Sequence, residues 1–268
     1  MMQWIRAALI CSAAFLFAPA AIAQSAANSA PRAASPPANA RFSCSTTLYA
    51  PLPMNVSITG APYSAVRETS NSRTLADGTH IAPKPSTEKI YRDSQGRERS
   101  EGVLCKGPNG DPEGVLVEIQ DPVARFSYYL DQQKHIAYRY VLKVNHQGDP
   151  SEGVGFGEPR PGPGFQLTTE NLGNQTIEGV LAEGRRFTMV IPVGAQGNDR
   201  SLTNIKEIWI SQEIKANVLW KIIDPRGDMT IRLTDISRAE PDPSLFQPPS
   251  DYTVEDTIDP VTIRYTRP

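Results

Sequence analysis

The chain has 268 residues, of which 39% are hydrophobic, and its 27 basic and 29 acidic side chains give a formal net charge of −2. This balance, without a basic stripe interleaved with aromatic residues, excludes the electrostatic footprint of a nucleic-acid-binding protein. The length suits one large all-β domain or two small ones, and we predict a single domain.

The first 23 residues have the pattern of a secretory signal peptide. Arg6 precedes the apolar run Ala7–Ala18, and Ala21–Ala23 has the small-x-small form that signal peptidase cuts. A membrane anchor is the alternative, but the run is shorter than the roughly 20 residues that span a bilayer and Pro19 ends it. We therefore predict a protein of the periplasm or the extracellular space, without a transmembrane segment after cleavage.

Residues 24–41 consist mostly of Ala, Ser, Pro and Asn, a composition that cannot bury a core and predicts a disordered leader. The folded domain is predicted to span residues 42–268. It contains two cysteines, Cys44 and Cys105, and export makes their pairing chemically available. Two free thiols are the alternative. The absence of a Cys-x-x-Cys pair disfavours a redox function.

Turn sequences that begin with aspartate recur along the domain and separate short runs of alternating polarity, which is typical of antiparallel hairpins. They are Asp77-Gly78, Asp93–Gly96, Asp121-Pro122, Asp131–Lys134 and Asp224–Gly227. We predict a mainly β fold, a single large curved antiparallel sheet forming an open half-barrel with few short helices. The helix candidates are Phe42–Tyr49 and Pro243–Phe246, and residues 145–164 form a Gly/Pro-rich loop.

Within the runs, apolar and aromatic residues recur at every second position, while charges such as Arg139 and Lys221 occupy the other positions. Such alternation predicts a sheet with one wet face and one face that must be covered. Because few helices are predicted, we expect an apolar trough that a ligand can fill. The alternative is that the same residues pack as ordinary core.

The sequence lacks the residue spacings that are typical of catalytic and metal-binding motifs. The Gly-rich stretch GVGFGEPRPGPG is not followed by the helix of a phosphate-binding loop, and no Gly-x-Ser-x-Gly elbow occurs. The histidines are scattered at positions 80, 135 and 146. We predict no enzymatic activity, no metal site and no cofactor.

Three arginines flank the predicted turn at Gly96, namely Arg92, Arg97 and Arg99. They are compatible with an anionic head group or with an ordinary solvated hairpin tip.

The closing stretch of the chain resembles the C-terminal half of the periplasmic lipoprotein carrier superfamily (LolA-like), which includes regulators of the RseB type. A Trp-containing strand, a hairpin through an acidic-Gly turn and a Leu-Phe pair followed by prolines carry the resemblance, which covers residues 172–254. The matching residues are Trp209, Asp224, Gly227, Leu245, Phe246, Pro248 and Tyr252. The resemblance implies an open antiparallel half-barrel whose concave apolar face holds acyl chains. Because no catalytic signature is found elsewhere in the chain, we also expect Leu245 and Phe246 to seal one end of the half-barrel.

Together these patterns predict a non-catalytic cell-envelope protein that binds a lipid, a lipoprotein acyl chain or another apolar ligand on the concave face. The alternative is a structural or protein-interaction module with a closed core and no ligand. The residues predicted to form the wall of the ligand site are Tyr128, Tyr138, Tyr140, Phe187, Met189, Trp220 and Leu233.

Overall fold

The computed structural model describes residues 42–52, 57–143 and 157–267. The predicted signal peptide 1–23, the leader 24–41, the loop residues 145–156 and His146 lie outside the described residues.

Strands account for most of the described residues, as the alternating sequence predicts. Their bounds are β1 Ser43–Leu48, β2 Tyr63–Thr74, β3 His80–Ile81, β4 Ser86–Arg92, β5 Glu98–Lys106, β6 Pro112–Asp121, β7 Phe126–Asp131, β8 Ile136–Val141, β9 Gln166–Ile177, β10 Val180–Ile191, β11 Leu202–Ser211, β12 Ala216–Asp224, β13 Gly227–Ser237, β14 Thr253–Asp256 and β15 Val261–Thr266. A 3₁₀ helix covers Pro243–Phe246, with the Asp242 carboxylate accepting from the Ser244 amide at its start.

The strands form one large open sheet and one small sheet. The large sheet has the order β14-β8-β7-β6-β5-β4-β2-β13-β12-β11-β10-β9, with β3 paired to β2. Its neighbours are antiparallel, apart from the parallel pair β14 and β8. The predicted mainly β fold with a curved sheet is confirmed. The small sheet, β1 paired with β15, is an addition that the sequence patterns do not reveal.

Of the two predicted helices, only Pro243–Phe246 is helical. The expectation of a helix at Phe42–Tyr49 is wrong, because Ser43–Leu48 is a strand whose backbone pairs with β15. Its Thr46 and Thr47 are β-branched, which favours a half-buried pleated surface over a helix.

The large sheet has two faces, and the strand registers determine which residues share each one. We call the face that carries Tyr63 of β2 the inner face and the opposite one the outer face. Tyr63 pairs with Arg92 of β4, and Arg92 pairs with Glu98 of β5. Arg67 lies four residues after Tyr63 on β2, on the same face, and it pairs with Leu233 of the neighbouring strand β13. All of these residues therefore lie on the inner face.

Phe246 covers the outer face of β6, β7 and β8. Its ring is buried to 1% exposure against an apolar cluster. The cluster consists of Val117, Ile119, Leu130 and Ala137, with Tyr91, Tyr128, Leu245 and Tyr252 at its margin. The expectation that Leu245 and Phe246 seal an end of the trough is wrong, because they pack on the face opposite the cavities described below.

The small sheet covers part of the inner face. Val261 and Ile263 of β15 pack against Leu104, Tyr129 and Tyr140 of the large sheet. The Thr46 hydroxyl of β1 donates to the Leu104 carbonyl at 2.8 Å. This part of the inner face is consequently filled by side chains of the protein.

A disulfide fastens the small sheet to the large one. Cys44 of β1 and Cys105 of β5 are bonded, with their Cα atoms 6.4 Å apart, which is within the usual range for disulfides. The structure therefore has the pairing that was predicted over two free thiols.

Replacing both Cys44 and Cys105 by serine should lower the free energy of unfolding by about 4 kcal/mol, because the bond closes a long loop in the unfolded chain. Equilibrium denaturation of a chain that starts at Gln24 measures this loss. Thiol titration of the unfolded, unreduced protein provides the control. Two reactive thiols in that titration would contradict the disulfide.

Candidate functional site

Three cavities open side by side on the inner face, with volumes of about 250, 430 and 320 Å³. Arg67 lines all three, while Tyr63 and Ile90 line the first two. Because they share these side chains, the cavities are neighbours over the central strands, and we call the three together the inner trough. The volumes of 320 and 430 Å³ fall within the range typical of small-molecule sites.

One wall of the inner trough is apolar. Trp220 of β12 pairs with Ile231 of β13, and both line the 430 Å³ cavity together with Leu233. The three side chains share a face because they occupy alternate positions of two antiparallel strands. They continue the apolar stripes that the sequence predicts.

The opposite wall is polar. Glu98 of β5 pairs with Gln120 of β6, and Ser100 pairs with Glu118, so that all four line the 250 Å³ cavity. The Gln120 side-chain amide donates to the Glu118 carboxylate at 2.7 Å. Strand β6 presents its polar residues here because its apolar positions are directed to the outer face.

Between the two walls lies a charged pair from adjacent strands. Arg67 of β2 and Glu88 of β4 are register partners, and the Arg67 Nε donates to Glu88 Oε2 at 3.0 Å. The inner trough therefore changes from apolar at β12 and β13, through this pair at β2 and β4, to polar at β5 and β6.

Burial changes the acidity of the polar wall. It raises the pKa of Glu98, against the opposing effect of the Arg92 guanidinium, whose Nη1 lies 3.9 Å from Glu98 Oε1. The Glu98 side chain is nevertheless 43% exposed, because its surface faces the trough. Burial also raises the pKa of Glu118, and the hydrogen bond from Gln120 opposes this effect.

Arg92 lies beside Tyr63 and Glu98, two residues that line the inner trough. Its side chain is buried and donates to the Ala61 carbonyl at 3.1 and 3.2 Å, to the Lys215 carbonyl at 3.4 Å and also to the Ile214 carbonyl. The guanidinium lies 4.7 Å from the centre of the Tyr63 ring. Arg92 thereby joins β4 to the segment before β2 and to the turn between β11 and β12.

The other two arginines of this hairpin are also bound within the protein. Arg97 Nε donates to Asp93 Oδ2 at 2.5 Å. Arg99 donates to Glu101 at 2.8 Å and to the Leu245 carbonyl at 3.1 Å. Neither a solvated hairpin tip nor a free anion site describes this cluster.

The predicted wall residues do not all reach the trough. Trp220 and Leu233 line it. Phe187 and Tyr140 are on the inner face but are 1% and 2% exposed, in core clusters. Tyr138 is partly buried beneath the small sheet.

The two remaining predicted residues lie further away. Met189 of β10 is on the inner face, opposite Asn204 of β11. Tyr128 pairs with Arg139 and lies on the outer face, near Phe246. The expectation that Tyr128 shares a wall with Tyr138 is therefore wrong. The register of β7 and β8 pairs Tyr138 with Tyr129, so Tyr138 and Tyr128 lie on opposite faces of the sheet.

Several residues that the sequence reasoning missed line the inner trough, and most of them are polar. They are Tyr63, Arg67, Glu88, Ile90, Glu98, Ser100, Glu118 and Gln120. The alternation Val117-Glu118-Ile119-Gln120 is the signal that could have found part of this wall. It places Glu118 and Gln120 on the same face, but the sequence alone does not show which face of β6 is covered.

The histidines lie away from the inner trough. The His80 ring is 3.4 Å from the Thr74 hydroxyl, and His135 stacks on Tyr252 with its Nδ1 at 2.8 Å from Asp251. In residues 42–52, 57–143 and 157–267, His, Cys, Asp and Glu side chains form no group that could hold a metal ion. None of these described residues belongs to an apolar helix of membrane-spanning length.

Solved structures with some similarity to this chain were found, while no family model and no curated protein sequence matches it. LprF from Mycobacterium bovis is 15% identical, covering 69% of this chain and 90% of its own, with a TM-score of 0.31. The lipoprotein LppX from Mycobacterium tuberculosis is 11% identical, covering 66% and 88%, with a TM-score of 0.29.

A putative outer membrane lipoprotein-sorting protein domain from Vibrio parahaemolyticus is 6% identical, covering 70% of this chain and 89% of its own, with a TM-score of 0.25. At such TM-scores the three matches assign neither a function nor a ligand.

Replacing Arg92 by methionine should lower the free energy of unfolding by about 3 kcal/mol, because buried carbonyls lose their donors. Urea denaturation measures the change. Arg226→Met is the matched control, since Arg226 is 72% exposed and pairs with Asp224 in the same turn. Equal losses in the two variants would show that the Arg92 hydrogen bonds contribute little.

Replacing Glu118 by glutamine should stabilise the protein more at pH 7 than at pH 4. Burial raises the pKa of Glu118 above its ordinary value of 4.5, so the folded protein binds the carboxyl proton more tightly than the unfolded chain does. Protonated Glu118 therefore stabilises the fold below pH 4.5, and this stabilisation is lost as the pH rises through the raised pKa. Glutamine cannot ionise and so avoids the loss.

Urea denaturation at both pH values tests this dependence on Glu118. Glu255→Gln is the control, because Glu255 lies exposed on β14. A pH-independent effect of Glu118→Gln would contradict the expectation.

Proposed function

We propose that this chain is a non-catalytic protein of the cell envelope that binds a lipid, a lipoprotein acyl chain or another largely apolar ligand in the inner trough. The observation that carries the proposal is the 430 Å³ cavity on the inner face, with its wall of Trp220, Ile231 and Leu233. Apolar surface removed from water stabilises a complex by about 25 cal/mol per Å².

Two features of the chain support the proposed location. Residues 1–23 have the pattern of a signal peptide, and the bonded pair Cys44–Cys105 requires an oxidising compartment to form and persist. Both features support an exported protein. The resemblance of residues 172–254 to lipoprotein carriers points to the same compartment.

The alternative of a closed interaction module has support in one region only. The small sheet fills the inner face over Leu104, Tyr129 and Tyr140. The strands β2, β4, β12 and β13 leave the inner trough open instead. Ligand binding accounts for that opening, whereas a closed core does not.

Native mass spectrometry of protein purified from the periplasm, followed by organic extraction, is the direct test. We expect a bound lipid, or binding of added monoolein to protein that has been stripped of lipid. Protein that is free of ligand and binds no acyl-chain probe would contradict the proposal.

Replacing Trp220 by alanine should weaken the binding of monoolein by about tenfold or more, because truncating an aromatic anchor typically costs more than 1 kcal/mol. Titration monitored by native mass spectrometry measures the affinity. Ile223→Ala is the matched control, since Ile223 lies on the same strand and pairs with Asp228 on the outer face. Equal weakening by both variants would place the ligand elsewhere.

A further inference from the structure

Exposed apolar side chains collect at one end of the protein. Val141 is 71% exposed where β8 ends, and Val123 is 62% exposed in the turn between β6 and β7. Ile258, in the turn between β14 and β15, is 87% exposed, and Tyr49, directly after β1, is 69% exposed. Single exposed apolar residues are ordinary on a protein surface, whereas a group of them marks an interaction site.

Strand pairing places Val123 beside Val141. Val141 is the register partner of Phe126, the first residue of β7, and Val123 lies in the turn that leads into β7. The Leu142 amide donates to the Arg125 carbonyl at 2.9 Å, which joins the end of β8 to this turn. The two exposed side chains therefore lie on neighbouring, hydrogen-bonded backbone.

Ile258 lies at the same end, next to the last residues of β8. The Thr257 amide donates to the Arg139 carbonyl at 3.0 Å. The Asp259 carbonyl accepts from the Tyr140 hydroxyl at 2.8 Å. These two bonds hold the residues on either side of Ile258, while the Ile258 side chain itself is left in solvent.

Tyr49 completes the group. It follows Leu48, the last residue of β1, and the register partner of Leu48 is Val261, which begins β15 shortly after Ile258. Four separate segments of the chain thus present apolar side chains at one end of the protein. We call this surface the apolar rim, and its members are Tyr49, Val123, Val141 and Ile258.

The apolar rim and the inner trough share this end of the strands. Tyr63, Glu98 and Ala216 are the first residues of β2, β5 and β12, and each lines the 250 or the 430 Å³ cavity. Glu98 pairs with Gln120 near the end of β6, and β6 leads directly into the turn that holds Val123. A surface that contacts the apolar rim therefore lies beside the trough.

Charges within the apolar rim indicate what kind of surface it fits. Lys143 follows Val141 and Asp259 follows Ile258, and both charged residues are exposed. A tightly packed protein interface would remove water from these charges, which is costly. The interfacial region of a bilayer keeps such groups hydrated while apolar neighbours reach the acyl chains, and aromatic rings such as that of Tyr49 are enriched there.

We propose that the apolar rim docks this protein on the surface of a lipid bilayer, with Val123, Val141 and Ile258 at the boundary between head groups and acyl chains. The apolar area buried at that boundary supplies the affinity. This docking is a second interaction, separate from the binding of a ligand in the inner trough.

Flotation of the purified protein with vesicles of palmitoyl-oleoyl phosphatidylcholine tests the docking. We expect the protein to float with the vesicles. Combining Val123→Thr, Val141→Thr and Ile258→Thr should lower the partition coefficient about tenfold or more, because threonine keeps the β-branched shape but replaces a methyl group by a hydroxyl.

The matched control alters three exposed residues at the opposite end of the strands. Leu75 follows β2, Val193 lies after β10 and Ile223 is near the end of β12. Combining Leu75→Thr, Val193→Thr and Ile223→Thr should leave flotation unchanged. Thermal unfolding verifies that both triple variants are folded.

Three results would overturn the docking. They are protein that stays at the bottom of the gradient, equal flotation of the rim variant and the unchanged protein, and a dimer in sedimentation velocity that only the rim variant abolishes. Titration with monoolein separates this proposal from the proposed function. Protein that binds monoolein but no vesicles loses only the docking, and protein that floats but binds no acyl-chain probe loses only the proposed function.

Discussion

The packing of Phe246 against the outer face of β6, β7 and β8 is the contact on which the character of the inner trough depends. Side chains alternate along a strand, so a covered outer face attracts the apolar residues of those strands. Val117 and Ile119 pack beneath Phe246 and are fully buried. Glu118 and Gln120 are consequently directed to the inner face, where they form the polar wall. The covering of the outer face by Phe246 thus determines which side chains line the inner face.

Arg92 stabilises the position of Tyr63, which lines the inner trough. A buried guanidinium is costly unless its donors are satisfied, and here backbone carbonyls from two separate segments accept from it. The stack on Tyr63 fixes the position of that ring at the boundary between the polar and apolar parts. The geometry of the trough therefore depends on a hydrogen-bond network whose acceptors are backbone atoms.

The sequence was sufficient for the class of fold and for part of the site. The alternation around Trp220 and Leu233 correctly placed both on one face, because antiparallel pairing of β12 with β13 preserves the parity that each strand shows by itself. The relation between Tyr128 and Tyr138 was not predictable in this way. The turn between β7 and β8 sets the register, and it pairs Tyr138 with Tyr129, so that Tyr128 lies on the other face.

The polar wall could not be predicted from the sequence for a related reason. A polar residue in an alternating strand faces water on an exposed sheet, and nothing local reveals that a distant 3₁₀ helix covers the apolar side. The strand at Ser43–Leu48 shows the same limit, since its pairing partner lies at Val261–Thr266. Where long-range contacts decide the structure, a reading of neighbouring residues cannot recover it.

The pairing of β1 with β15 also has a consequence for the order of folding. The two strands are far apart in the chain, and contacts of large sequence separation form slowly because the intervening loop must first be closed. Whenever the chain emerges from its N-terminus, β1 appears long before its partner and stays unpaired until β15 has emerged. The Cys44–Cys105 bond joins β1 to β5 instead, so oxidation can hold the early strand beside the large sheet while the last strand is still absent.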